Sequence, residues 1–254
     1  MENQTKIAVV TGGSRGLGKD MAINIAKKGI DVILTYNNNK EEAQKVVKQI
    51  EEIGQKAVAL QLNVAEIKSF DSFTENVKTA LKNHFNSSKI DFLINNAGIG
   101  IHTAFTQTTE EQFDILSTIH LKGVVFLTQK MLLIMNDGGG VVNISSGLTR
   151  IALAGYSIYA TMKGAIETLT KYQAKELGER KIRVNVVAPG AIETDFGNGT
   201  VRDNADVNAF IAANTALGRV GLPDDIGSVV AFLCTQDAKW VNAQRIEVSG
   251  GQMI

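Results

Sequence analysis

The sequence predicts an α/β fold, a doubly wound, seven-stranded and mostly parallel sheet with helices on both faces. Three observations carry this. Short apolar runs alternate with helical patterns along most of the 254 residues. A glycine cluster, Thr11 to Gly18, closes the first run and opens the first helical pattern. No repeat, low-complexity segment or Pro-rich linker breaks the alternation, and only Pro189 and Pro223 occur, so residues 1–254 read as a single domain.

The first strand is Ile7-Ala8-Val9-Val10, continuously apolar as a strand buried on both faces should be. Leu17, Met21, Ile25 and Ala26 then recur at helical spacing, with Lys19, Lys27 and Lys28 polar, until Gly29 stops the pattern. Val32-Ile33-Leu34 leads into a helix over about 40–53, and Ala57 to Leu60 into another over about 67–84. Ile90 to Ile94 is the fourth strand, followed by a long helical pattern from Glu110 to about Ile134. Val141 to Ile144 is the fifth, leading to a helix that carries Tyr159. Ile182 to Val187 is the sixth, and Arg245 to Val248 the seventh.

Composition excludes several classes. Lys+Arg and Asp+Glu both number 26, which argues against a nucleic-acid surface or a polybasic membrane contact. The single cysteine, Cys234, sits in an apolar run and reads as a buried small hydrophobe. There is no signal-peptide pattern and no apolar segment of spanning length, so a cytoplasmic protein is expected. His84, His102 and His120 show no ligand spacing, and no metal is expected.

The glycine turn has a chemical reading. Glycine lets the backbone adopt φ > 0 and lets a phosphate approach closely, while the next helix offers free N–H groups and a positive dipole end. Gly12, Ser14, Arg15, Gly16, Leu17 and Gly18 are therefore candidate dinucleotide contacts, although a tight turn without ligand has the same composition. The second strand ends at Tyr36-Asn37 with no carboxylate for a ribose 2′-hydroxyl, and Asp31 stands at its other end. Arg15 offers a guanidinium to a 2′-phosphate, or merely caps the turn. Tyr36 and Asn37 are candidate cofactor contacts, and NADP(H) is expected over NAD(H).

Tyr159 and Lys163 stand one helical turn apart. An ammonium beside a phenol favours the phenolate and lowers a pKa of about 10 towards the working range, which suits proton transfer. An ordinary surface pair has the same spacing.

These residues together resemble the short-chain dehydrogenases/reductases, in the compact 3-oxoacyl-carrier-protein-reductase-like branch, over essentially the whole chain. Thr11 to Gly18 is similar to the family's cofactor turn and Asn95-Asn96-Ala97-Gly98 to its fourth-strand motif. Ser146, thirteen residues before Tyr159, and Pro189-Gly190-Ala191-Ile192-Glu193-Thr194 match its catalytic serine and nicotinamide loop. Gly218 to Pro223 and Ser249-Gly250-Gly251 resemble its C-terminal punctuation. The resemblance implies a single-domain Rossmann fold and hydride transfer between a nicotinamide and a carbonyl or secondary alcohol. Ser146 would hold the substrate oxygen, Tyr159 would act as general acid/base, and Lys163 would bind ribose and keep Tyr159 acidic. Asn96, Ala97, Pro189, Gly190, Ile192 and Thr194 would line the cofactor. A homotetramer is also implied, in keeping with apolar positions that spill round the helices near Phe113 to Leu133 and Ile158 to Leu177.

Three departures stand out. His120 occupies the register of a family asparagine that orders a relay water, and either takes that role with its own titration or fills space. Asn63-Val64 replaces an Asp-Val pair that contacts adenine, and Ala243 lies where a glycine is common. The segment 195–215 is the least regular of the second half and reads as a substrate lid or a plain loop. Lys122, Lys130 and Arg150 read as scattered solvated cations. The competing functional class is a non-catalytic dinucleotide sensor on the same fold, which has no chemical need for Ser146, Tyr159 and Lys163 together.

Overall fold

The computed structural model describes residues 5–254. The elements run β1 (Ile7–Val10), α1 (Gly16–Ala26), β2 (Asp31–Tyr36), α2 (Lys40–Glu52), β3 (Ala57–Gln61), α3 (Phe70–Ala80) and β4 (Ile90–Asn95). The second half runs α4 (Glu110–Ser117), α5 (Gly123–Leu132), β5 (Met135–Ile144), α6 (Ser157–Glu176), β6 (Arg183–Pro189), α7 (Thr200–Asp203), α8 (Ala205–Ala213), α9 (Pro223–Leu233) and β7 (Arg245–Val248). The strands form one sheet in the order β3-β2-β1-β4-β5-β6-β7. Every neighbouring pair is parallel.

Because side chains alternate across a strand, each strand feeds two cores. Ala8, Val10, Val32 and Leu34 pack on one face with α1, α2 and α9, through Met21, Ile25, Val46, Ile50 and Val230. Ile7, Val9 and Ile33 pack on the other with Phe70, Val77, Leu127 and Met131. The strand order reverses between β1 and β4, and the carboxyl ends of those strands part there into a crevice.

Several boundaries differ from the sequence reading. The long helical pattern from Glu110 is α4 and α5 joined by a π-helical stretch, Thr118–Lys122. A Cβ on Gly123, the first residue of α5, would stand 2.5 Å from the Val64 carbonyl oxygen, so the helix lies this close only with glycine there. β5 begins at Met135 rather than Val141, through a polar glycine-rich lead whose register against β4 shifts. The segment 195–215 is not irregular: α7 and α8 occupy it, and the Asn204 side chain caps α8 by accepting from Val207 N at 3.1 Å. Helix α9 is also additional, with Pro223 in its first turn and Asp224 and Asp225 at its positive end.

Ala243 has φ +59, the left-handed region that a glycine would occupy without strain. The loop thus keeps the glycine shape with an alanine in it, tied by Ala243 N donating to the Val184 carbonyl oxygen at 2.8 Å.

Candidate active site

The crevice is built first by main chain. Thr11 ends β1 and its hydroxyl joins the two sides, accepting from Asn96 N at 2.9 Å and Ala97 N at 3.0 Å. Asn96 Nδ2 donates back to the Thr11 carbonyl oxygen at 2.8 Å. Gly12 has φ +65, and a Cβ on it would stand 3.0 Å from Ala97 Cα. A Cβ on Gly18 would stand 2.1 Å from the Gly12 carbonyl oxygen, so α1 can approach the turn this closely only with glycine. Helix α1 has no acidic residue in its first turn and no side-chain cap, leaving its positive end free for an anion. Ser14 and Arg15 border that end; Arg15 is exposed and 3.9 Å from Asp195. Leu17 packs partly buried against the core beneath.

At the end of β2, Tyr36 is buried and the Asn37 carbonyl oxygen accepts from Gln61 Nε2 at 3.0 Å. Asp31 lies at the opposite end, accepting from Lys56 N at 2.8 Å, and burial raises its carboxyl pKa. Asn63 spends its side chain on its own turn, accepting from Ala65 N at 3.0 Å and donating to Glu66 at 3.2 Å. Val64 packs beside the core. These residues offer a dinucleotide an open helix end, a guanidinium and closely approachable backbone, and the donor set fits the group.

The far wall is the turn after β6. Gly190 N donates to the Val248 carbonyl oxygen at 2.9 Å, and a Cβ there would meet Ser249 at 2.8 Å. Ala191 N donates to Gln252 Oε1 at 3.0 Å, and Ile192 bridges to Gly221. Pro189 ends β6 against Val248, and Thr194 Oγ1 accepts from Phe196 N at 3.2 Å. A Cβ on Gly16 would come within 3.7 Å of Thr194, so the two walls nearly meet.

Ser146, Tyr159, Lys163 and His120 converge between these walls. Tyr159 and Lys163 are buried on α6, and Lys163 Nζ lies 5.7 Å from the Tyr159 ring centroid. Nζ donates to the Ile144 carbonyl oxygen at 2.8 Å, and burial lowers its pKa to about 7. Burial raises the Tyr159 phenol well above its ordinary value, while a hydrogen bond with Ser146 acts the other way. The expectation of an acidified phenol is thereby reversed here, because desolvation outweighs everything else and the lysine is turned to main chain. Ser146 Oγ also accepts from Leu148 N at 3.2 Å.

His120 lies in the π-helical stretch, and its ring meets Tyr159 edge-on at 5.2 Å. Its Nε2 is 2.8 Å from the Ile99 carbonyl oxygen, which assigns the proton to Nε2. Nδ1 is buried with no hydrogen-bond partner among the described residues. Burial first, and then the Lys163 charge, lower the His120 pKa to about 3. Of the two readings left open for His120, burial disfavours the one with a titration in the working range: the ring stays neutral.

Two aromatic neighbours escaped the sequence reading. Phe196 covers Tyr159 at 5.7 Å and lies against Gly100, while Tyr156 joins Tyr159 at 6.5 Å and His102 at 5.0 Å. Tyr156 was legible as the i, i+3 neighbour of Tyr159; Phe196 had no signal beyond following the Thr194 turn. His84 is exposed on the other side of the fold's topology, beside Phe85. Among the described residues no group of His, Cys, Asp or Glu could hold a metal ion, and no helix is long and apolar enough to cross a membrane.

Residues 12–253 match the family described as Enoyl-(Acyl carrier protein) reductase. An oxidoreductase of Methylorubrum extorquens is 37% identical, with 97% of each chain covered. The trihydroxynaphthalene reductase PfmaI of Pestalotiopsis fici is 35% identical over 98% of this chain and 90% of its own. Among solved structures, the angucycline C-6 ketoreductase LanV with bound NADP superposes with a TM-score of 0.93 at 33% identity, covering 99% of this chain and 97% of its own.

Proposed function

Because this chain belongs to the short-chain dehydrogenase/reductase family of oxidoreductases, we propose that it reduces a ketone to a secondary alcohol with NADPH, Tyr159 delivering the proton. The observation that carries this is the buried phenol of Tyr159, whose pKa Ser146 lowers against the effect of burial, one turn from Lys163, at the crevice where the strand order reverses. Bound nicotinamide supplies the hydride.

Ser146 donates a hydrogen bond to the substrate oxygen, keeping its own proton, and steadies the charge that develops there. Tyr159 then gives up its O–H, and burial keeps that phenol in the protonated form that reduction needs. Lys163, with its pKa near 7 and its Nζ on the Ile144 carbonyl oxygen, would hold the ribose hydroxyls of a bound cofactor. His120 presents Nδ1 as a neutral acceptor for a relay water, in place of an asparagine and without a titration of its own. Gly12, Ser14, Gly16, Leu17 and Gly18 line the pyrophosphate, with Arg15 on the 2′-phosphate. Tyr36, Asn37, Asn63 and Val64 border the adenosine, and Asn96, Ala97, Pro189, Gly190, Ile192 and Thr194 the nicotinamide. NADPH is favoured because β2 ends without a carboxylate and Arg15 is exposed, and LanV holds NADP.

The substrate side is aromatic and uncharged. Tyr156 and Phe196 flank Tyr159, His102 stands against Tyr156, and Ile101, Leu116 and Ile158 line the pocket beside it, with Thr103 and Gln112 as polar edges. Asp195 and Arg202, the nearest charges on the covering segment, pair with each other at 2.5 Å. A ring-bearing ketone fits these walls, and the ketoreductase and naphthalene-reductase relatives point the same way. The segment from Asp195 to Thr215 acts as its lid, hinged where Gly197, Asn198 and Gly199 all have positive φ. The apolar side chains of Phe113, Phe126, Leu133 and Tyr172 stand exposed and fit subunit packing into a homotetramer, which light scattering checks; a monomer removes it.

The test of the reaction is NADPH oxidation with tetralone and with cyclohexanone, NADH run alongside. Tyr159→Phe should lose on the order of 10²–10⁴ in kcat. Full activity in the variant removes Tyr159 as proton donor, and equal use of NADH removes the cofactor preference.

A further inference from the structure

We propose that Glu167 is a positioning residue that holds the loop of Ser146 against the helix carrying Tyr159 and Lys163, an inference that rests on the proton-transfer reading above. Glu167 lies on α6 one turn beyond Lys163, with its side chain 19% exposed. Its Oε1 gathers three donors: Ser145 Oγ at 2.7 Å, Thr149 Oγ1 at 2.7 Å and Arg245 Nε at 2.8 Å. Ser145 precedes Ser146 and Thr149 follows it, so one carboxylate oxygen grips the loop on both sides of the serine that touches substrate.

Each hydroxyl has a main-chain alternative, and in each case it is longer. Ser145 Oγ is 3.3 Å from the Lys163 carbonyl oxygen, and Thr149 Oγ1 is 2.9 Å from that of Ser146. A hydroxyl has one proton to give, and a carboxylate is the stronger acceptor. The two neighbouring serines thus divide the work. Ser145 turns to the carboxylate, and Ser146 turns to Tyr159.

The brace reaches the end of the chain. Arg245 Nη1 donates to Glu247 at 2.9 Å, and Arg150 Nη2 donates to Glu247 at 2.5 Å. Arg150 also donates to the carbonyl oxygens of Gln252 at 2.7 Å and Met253 at 3.0 Å. Gln252 in turn accepts from Ala191 N at 3.0 Å, so the last residues tie the serine loop to the nicotinamide wall. Pairing with Arg150 lowers the Glu247 carboxyl to about 2, so Glu247 stays charged at working pH. A reacting hydroxyl must be held within roughly half an ångström of its place, and a loop held by one carboxylate loses that hold with it.

The experiment compares Glu167→Ala, Glu167→Gln, Ser146→Ala and the Ser146→Ala/Glu167→Ala pair, with tetralone and NADPH. Glu167→Ala should lower kcat about tenfold or more while NADPH affinity, read by fluorescence titration, stays within about twofold; Gln should recover part. In the Ser146→Ala background the same change should cost less than about twofold, since neighbours acting through one group are not additive. Followed in the alcohol-oxidation direction, the Tyr159 limb of the pH profile should move upward in Glu167→Ala, because the slackened serine no longer opposes burial. Losses that multiply in the pair, or NADPH affinity falling in step with kcat, overturn the proposal. Should Glu167→Ala fail to fold, Ser145→Ala with Thr149→Val removes two donors and leaves the charge pair, and the same comparison decides. Full activity in Ser146→Ala sinks the proton-transfer reading together with the brace, whereas a slow Ser146→Ala with multiplying losses sinks the brace alone.

Discussion

The two walls of the crevice are made of different material. The cofactor wall is backbone and glycine: Gly12 against Ala97, Gly18 against the Gly12 carbonyl, Gly190 against Ser249. The wall proposed for the substrate is side chain: Phe196 and Tyr156 against the Tyr159 ring, with His102 behind Tyr156. Main-chain geometry tolerates one residue type at each contact, so the first wall suits a ligand that never changes. Aromatic side chains can be exchanged without moving the chain, so on the proposed reading the second wall is the one expected to set selectivity.

The sharpest way to break this contrast is to add one methyl group to the first wall. Gly18→Ala places a carbon 2.1 Å from the Gly12 carbonyl oxygen and 2.5 Å from Asn96 Nδ2. Overpacking of this kind costs roughly 1–3 kcal/mol. Falling on the cofactor site, that is about ten- to hundredfold in NADPH affinity. Fluorescence titration measures it, and wild-type affinity would show that the glycine turn bears no ligand.

A much larger change on the second wall should do less. Phe196→Ala removes a whole ring, yet aromatic contacts contribute only about 0.5–1.5 kcal/mol beyond area. KM for tetralone should rise about two- to tenfold, KM for cyclohexanone much less, and NADPH affinity not at all. Equal effects on both ketones would show that Phe196 shapes the fold rather than the choice of substrate.

The smallest effect lies between the walls. His120 has its folded pKa lowered to about 3 from an ordinary 6.5, so the unfolded chain binds the extra proton between those values. Stability therefore rises with pH across that window and is lost as pH falls through it. His120→Asn should keep activity, leave the neutral-range pH–rate profile unmoved and flatten the acid side of the stability curve, read as Tm between pH 4 and 7. An unchanged acid limb would place the imidazole in water rather than in the core.

The same contrast explains how much could be read beforehand. The strands buried on both faces, such as Ile7–Val10, announce themselves by continuous apolar runs, and the cofactor wall announces itself because glycine contacts leave no alternative residue. The start of β5 did not, because Asn136 to Gly139 carry no apolar pattern and lie where the register against β4 shifts. Helix α9 had its signals, Pro223 followed by two aspartates, and α8 had its Asn204 cap, but both lie among loop-like residues. Tyr159 shows the limit most plainly. The Tyr-Lys spacing speaks of two neighbours, and the direction of the phenol's shift depends on how much water the surrounding chain removes.

One feature of the helix before β5 reaches beyond chemistry. In the π-helical stretch Thr118–Lys122 an added residue is absorbed within a single turn, so residue count and helix phase part company there. A chain one residue shorter at this point could close into ordinary α-helical turns, with α4 and α5 keeping the faces they now present. The length of the segment is thus not dictated by packing on either side of it. Within that stretch His120 turns its ring edge-on to Tyr159.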